Sequence, residues 1–213
     1  MKNFEIKTNE SGRSMIEMLG VLAIIGVLSV GGIAGYSKAM MKYRINKTIE
    51  QITLIAGNIH SFFAPQGNYE GLNNKKVIKK AKLVPDEMWN GENIENIFGG
   101  GFSMGITFKN DNDMDNGVCS EGYCNKAFYI VLKGIPQEAC VELVSQDWQA
   151  SGVTYIQTEN DDEIYSAIDN FPISIDRAIT MCQIIDGGAN EIITLNFHAL
   201  PEGEHALLFG NII

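Results

Sequence analysis

Residues Met18 to Tyr36 form an apolar run of 19 residues without one charged side chain. As a helix such a run spans about 28 Å, close to the hydrocarbon thickness of a bilayer. The helical pattern does not stop there. Ile45, Ile49, Ile52, Ala56, Ile59 and Phe63 follow at steps of 4, 3, 4, 3 and 4, one face of a helix. Pro65 and Gly67 then end it. One helix is expected from about Ser14 to Ala64, apolar all round in its first half and amphipathic in its second. A cleaved secretory signal would have a shorter apolar stretch, then a small-residue cleavage site and a break.

The second half has a stripe that must lie on the protein's own fold. The first half has no such partner in a chain of 213 residues, so it belongs in lipid or among copies of itself. Gly20, Gly26, Gly31, Gly32 and Gly35 each weaken a helix in water by about 1 kcal/mol. In lipid or in a bundle they permit close backbone approach, and Gly31 and Gly35 make a small-xxx-small pair.

Arg13 and Glu17 stand at the front edge of the run. An unpaired carboxylate carried into hydrocarbon costs several kcal/mol. The helix dipole returns under about 1 kcal/mol at an exposed site. A positive partner is the stronger reason to place Glu17 there. A cut after Gly12 would create one: a new α-amino group on Arg13, able to pair with Glu17 of the next copy in a bundle.

Gly12-Arg13-Ser14-Met15-Ile16-Glu17, followed by an apolar helix, resembles the processing motif of type IV prepilins. In that family a membrane prepilin peptidase cuts after the glycine and N-methylates the new terminus, and the glutamate at the fifth mature position guides assembly. The resemblance makes Gly12 the cleavage residue, Arg13 the mature N-terminus and Glu17 the assembly residue. Arginine departs from the Phe or Met common at the first mature position. "GNYEGLNNKKVIKKAKLVPDEMW" looks like the type IVb segment after the long helix: a glycine-leucine turn, a short helix and a "LVP" turn. "GIPQEACVEL" and "SIDRAITMCQ" look like the two cysteine-bearing stretches of that branch.

The resemblance implies an α+β pilin fold, a long N-terminal helix packed on an antiparallel sheet with short flanking helices. It divides the chain into a leader (1–12), a membrane and filament-core helix (13–40) and an extracytoplasmic globular domain (41–213). It implies a non-enzymatic, cofactor-free structural subunit of a type IV pilus. The partners would be copies of itself or related pilins, prepilin peptidase, the inner membrane and the assembly machinery. The precursor would sit in the bacterial inner membrane, and the filament on the cell surface. A minor pilin or a type II secretion pseudopilin fits the same residues. So does another class, a membrane-anchored binding domain that never polymerises.

The charge flanks and the cysteines weigh in opposite directions. Lys2, Lys7 and Arg13 precede the span, whereas Lys38, Lys42, Arg44 and Lys47 follow it, a count that slightly opposes a pilin's orientation. Cys119, Cys124, Cys140 and Cys182 are an even set, read as two disulfides formed outside the cytoplasm. Four cysteines allow three connectivities. The expected pairs are Cys119–Cys124 and Cys140–Cys182. Zinc spacing and a Cys-x-x-Cys redox pair are both absent.

Beyond Pro65, Phe102, Met104, Ile106 and Phe108 alternate as in a strand, and residues 127–133 and 153–158 read as two more. The acidic stretch 111–117 joins the first two as a hairpin tip. Pro136 starts a helix that puts Ala139, Cys140, Leu143 and Val144 on one side. Ser174 is an N-cap candidate for a helix ending near Cys182. Gly187-Gly188 turns the chain into "EIITLNFHAL", and a further hairpin passes Pro201 and Gly203.

The formal net charge is −10, so a nucleic-acid partner is not expected. Lys75, Lys76, Lys79, Lys80 and Lys82 read as the wet side of a short helix. His60, His198 and His205 read as structural or surface residues, and no catalytic motif is present. Asp111, Asp113 and Asp115 alternate as calcium ligands do, but the glycine falls one place late and Gly122 holds the closing glutamate's position. A solvated tip is the expected role there, and for Glu159, Asp161, Asp162 and Glu163.

Overall fold

The structure, a computed structural model, describes residues 15–107, 127–168 and 171–198. One helix, α1, runs without a break from Met15 to Phe63. The chain divides into two compact units, one ending at Lys42 and the other starting at Tyr43. In the first unit every residue from Met15 to Ala39 is exposed. In the second, α1 buries Ile45, Thr48, Gln51, Ile52, Ile55, Ala56, Ile59 and Phe63. Ile49, expected on that stripe, is only half-buried, because the buried face is centred nearer Thr48, Gln51 and Ile55. The two polar members are satisfied there: the Thr48 hydroxyl donates to the Arg44 carbonyl at 2.9 Å, and the Gln51 amide donates to Glu87 at 3.1 Å. Pro65 sits in a single 3-10 turn, Ala64–Gln66, and Gly67 ends it at φ +70°, the left-handed conformation that favours glycine.

Helix α2, Lys75–Lys80, is capped by the Asn74 side chain, which accepts from the Lys76 N–H. It buries Ile78 and leaves its lysines exposed. A two-stranded hairpin follows, β1 Trp89–Asn90 and β2 Asn93–Ile94, which the sequence patterning missed because two residues carry no period.

The main sheet has five antiparallel strands: β3 Phe102–Thr107, β4 Ala127–Lys133, β5 Val153–Glu159, β6 Ile164–Ile168 and β7 Ile192–His198. Their order is β3-β4-β7-β5-β6. Strand β6 was not expected. Residues 159–163, read as a solvated acidic run, finish β5 and turn the chain into it. The Asn160 side chain makes that turn by accepting from the N–H groups of Asp162 and Glu163. Strand β7 lies between β4 and β5, so both of its edges are taken. The hairpin expected through Pro201 and Gly203, Phe108 and the 111–117 tip lie outside the described residues.

Register builds the core in rows. Met104, Ile130, Leu195, Ile156 and Ala167 are cross-strand partners in sequence and all are buried. In the next row Phe128 stacks on Phe197, with ring centroids 4.7 Å apart and planes 2° apart. The His60 and Tyr69 rings meet Phe128 edge-on, which sets the amphipathic half of α1 over the sheet.

Two short helices complete the domain: α3 Gln137–Val144 and α4 Ile175–Cys182. Pro136 precedes the first turn of α3, and Ala139, Cys140, Leu143 and Val144 are buried together. Ser174 stands at the N-cap of α4, but its side chain makes no capping hydrogen bond.

Candidate assembly surface

The exposed apolar helix is the feature that folding of this chain leaves unused. Met15, Ile16, Leu19, Leu22, Ile25, Val27 and Leu28 are all more than half exposed. Apolar surface of this extent needs lipid or protein against it. Among the described residues this is the one helix long and apolar enough to cross a membrane. Its glycines have no intramolecular reason to be glycine: a Cβ on Gly20, Gly26, Gly31, Gly32 or Gly35 would meet no atom within 4 Å. At the far end of the run, the Ser37 hydroxyl donates to the Ile33 carbonyl at 3.0 Å and is satisfied within the helix.

Glu17 is in the first turn of α1 and is exposed. A carboxylate at that end complements the positive pole of the helix dipole, and it can still accept hydrogen bonds from outside the chain. Gly12 and Arg13 lie outside the described residues. So do Asp111, Asp113, Asp115, Cys119 and Cys124.

The globular unit holds its end of α1 by polar braces that patterning did not reveal. Glu87, on the 3-10 turn Asp86–Met88, accepts from both Gln51 and Lys47, the latter at 3.2 Å. The Gln51 and Lys47 hydrogen bonds hold the Glu87 carboxyl below its ordinary pKa, and the Glu87 hydrogen bond holds Lys47 above its own. The only sequence sign of this brace was a glutamine inside an apolar stripe. Farther along, the Asn58 amide donates to the Leu83 carbonyl at 3.1 Å.

Cys140 and Cys182 form a disulfide, with Cα atoms 5.8 Å apart, and join α3 to α4. The Gln137 amide adds a bond to the Cys182 carbonyl. Beside it, the Trp148 indole donates to the Leu143 carbonyl at 2.7 Å, and the Thr158 hydroxyl donates to the Met181 carbonyl. Each fixes a short helix to the sheet or to its own loop. Among the described residues no group of His, Cys, Asp or Glu is placed to hold a metal ion. His60 is half-buried against Tyr69 and Phe128, in the core packing of α1.

A family model described as Bundlin matches residues 38–199. No curated protein matches the sequence. Among solved structures, a type IVb pilin from Salmonella typhi aligns with a TM-score of 0.53 at 15% identity, covering 72% of this chain and 99% of that one. TcpA, a type IV pilin from Vibrio cholerae El Tor biotype, aligns with a TM-score of 0.48 at 12% identity, covering 72% of this chain and 98% of that one. At such identities the Salmonella likeness shows a shared fold, a long helix on an antiparallel sheet. With most of the globular unit inside the family match, the chain belongs to the bundlin family of type IV pilins.

Proposed function

We propose that this chain is the precursor of a type IV pilus subunit, cut after Gly12 and assembled through α1 into a surface filament. The observation that carries the reading is the contrast within one helix. From Ile45 onward α1 is packed into a pilin domain, whereas from Met15 to Ala39 it offers only exposed apolar surface with Glu17 in its first turn. In the precursor the apolar half lies in the inner membrane and the globular unit lies outside the cytoplasm. Prepilin peptidase releases residues 1–12 and exposes the amine of Arg13. In the filament the apolar halves bundle and exclude water. A carboxylate there is tolerated only when paired, and the Arg13 amine of a neighbour supplies the pair. The Arg13 guanidinium adds a second positive group. Cys119–Cys124 is proposed as a second disulfide beside Cys140–Cys182.

The test is the intact mass of the protein purified from its native host, read beside sheared surface filaments. The expected mass lacks residues 1–12, and the filaments contain the chain. A mass that retains Met1, or a cut near Tyr36, would sink the reading.

A further inference from the structure

Basic residues crowd the exit of the apolar run. With the globular unit outside the cytoplasm, Lys38, Lys42, Arg44 and Lys47 stand on the side of a membrane where basic residues are normally scarce. The chain has a net charge of −10, yet α1 carries no acidic side chain from Met18 to Ile49. Lys47 is neutralised by Glu50 at 3.5 Å and Glu87 at 3.2 Å. Lys38 and Arg44 are exposed and have no acidic partner among the described residues, and Lys42 is exposed between them. Glu87 and Glu95 line a cleft with Tyr43, but Glu87 is taken by Gln51 and Lys47, and Glu95 by the Asn90 amide.

Helix geometry sets the depth of these cations. With Met18 to Tyr36 filling the hydrocarbon, the unbroken helix carries Lys38 about 3 Å and Arg44 about 12 Å beyond it. The headgroup layer lies at that depth, and long basic side chains reach along the helix to keep their charge within it. Tyr36 and Tyr43 are 67% and 55% exposed, which leaves both free to take the interfacial position that tyrosine favours. Lys38 and Arg44 point about 120° apart around the axis, so the cations face more than one neighbouring lipid.

We infer that this collar binds anionic phospholipid headgroups at the outer face of the inner membrane. A zwitterionic headgroup brings its own ammonium group to its phosphate and offers these cations little. A headgroup of net negative charge leaves the phosphate uncompensated. The Arg44 guanidinium can hold a phosphate through two parallel N–H donors, and Lys38 acts as a point charge. Each cation near an anionic membrane surface is worth about a fivefold gain in association. The collar fixes the depth of α1 before a subunit leaves the membrane, and it gives the basic residues after the span a reason to be there. The inference rests on the orientation in the reading above, not on the filament.

The experiment places the full chain in vesicles of phosphatidylcholine and phosphatidylglycerol in equal parts. Spin-labelled lipid of either kind reports the fraction slowed by contact with the protein. Phosphatidylglycerol should be preferred by at least about threefold at low salt, and the preference should shrink as salt is raised. Lys38→Gln/Arg44→Gln should cut it by at least about twofold, leaving what Lys2, Lys7 and Arg13 contribute at the other face. Lys38→Arg/Arg44→Lys keeps both charges and should match wild type. No preference in wild type, or an unchanged preference in the glutamine pair, overturns the collar. An unchanged preference with the glutamine pair depleted from sheared filaments would assign the cations to carboxylates of a neighbouring chain instead. A second arm tests the orientation separately: protease added to spheroplasts of the native host should digest the globular unit. Protection there sinks the orientation and the outer-face site with it, whereas digestion combined with an unchanged lipid preference in the glutamine pair overturns the collar alone.

Discussion

The Tyr69 hydroxyl lies 2.9 Å from His60 Nδ1, and both rings meet Phe128 edge-on. Burial pushes the His60 pKa below its ordinary 6.5 and the Tyr69 pKa above its ordinary 10.0. The pair therefore works with neutral imidazole. When the folded-state pKa of a histidine is depressed, the unfolded chain takes up the proton first as pH falls. The stability from His60 is complete above pH 6.5 and declines as pH drops toward its folded value. Thermal unfolding between pH 5 and pH 8, about where histidine titrates, should show a midpoint that falls on the acid side. His60→Gln should flatten that slope. Glu87, also depressed, loses its contribution only below its ordinary 4.5, so the two groups separate on the pH axis. An unchanged slope in His60→Gln would remove His60 from the account.

Reduction of Cys140–Cys182 opens a loop with a sequence separation of 42. In the chain-entropy model that cross-link is worth about 4 kcal/mol. Cys140→Ser/Cys182→Ser should lower the unfolding free energy by roughly that amount in a urea titration, with a steeper slope because the freed unfolded chain exposes more surface. Reductant should lower wild type by at least that amount, and the double variant only by what the proposed Cys119–Cys124 bridge contributes.

Phe128 has no exposed surface, and it touches His60, Tyr69 and Phe197 at once. Phe128→Ala should cost about 3–5 kcal/mol, because three rings lose their common partner and a cavity remains. Chemical denaturation would measure it. A loss under about 1 kcal/mol would mean that the site collapses around the smaller side chain.

Glu17→Ala should leave membrane insertion and folding of the globular unit intact, since the apolar run suffices for the first and Glu17 takes no part in the second. It should deplete the chain from sheared filaments. Glu17→Asp should fall between, with the charge kept and the reach one methylene shorter. Probing filaments and the membrane fraction of the same cells gives both readouts. Glu17→Ala subunits entering filaments at the wild-type level would leave the glutamate as a helix-dipole partner or a contact for the processing enzyme.

Gly31 and Gly35 meet nothing within the chain. Gly31→Leu/Gly35→Leu should therefore raise the helicity of the isolated subunit in detergent, by the roughly 1 kcal/mol per residue that glycine costs a helix. The same change should obstruct close helix approach in the filament. Circular dichroism reads the first effect and filament yield the second. Both moving upward together would show that no neighbour approaches there.

What the sequence by itself determined is what local chemistry enforces. A run of 19 residues without charge has few homes, and the 3.6-residue stripe after it predicts α1 to within a residue or so at each end. Strands β3, β4, β5 and β7 were legible because alternation or dense β-branched and aromatic residues leave the backbone little choice. Tertiary structure decided the rest. Strand β6 follows an acidic turn and has two exposed residues among its first three, so only pairing with β5 makes it a strand. The insertion of β7 between β4 and β5 joins residues far apart in the chain, and no local pattern encodes a neighbour that distant. Gln51 reads as an interruption of an apolar stripe until Glu87 is brought to meet it. The lysines of α2 and the carboxylates of the β5–β6 turn are two unremarkable runs in the sequence, some 80 residues apart. Strand order alone places them on opposite sides, because a charge pattern across a surface exists only once the backbone has fixed which residues share that surface.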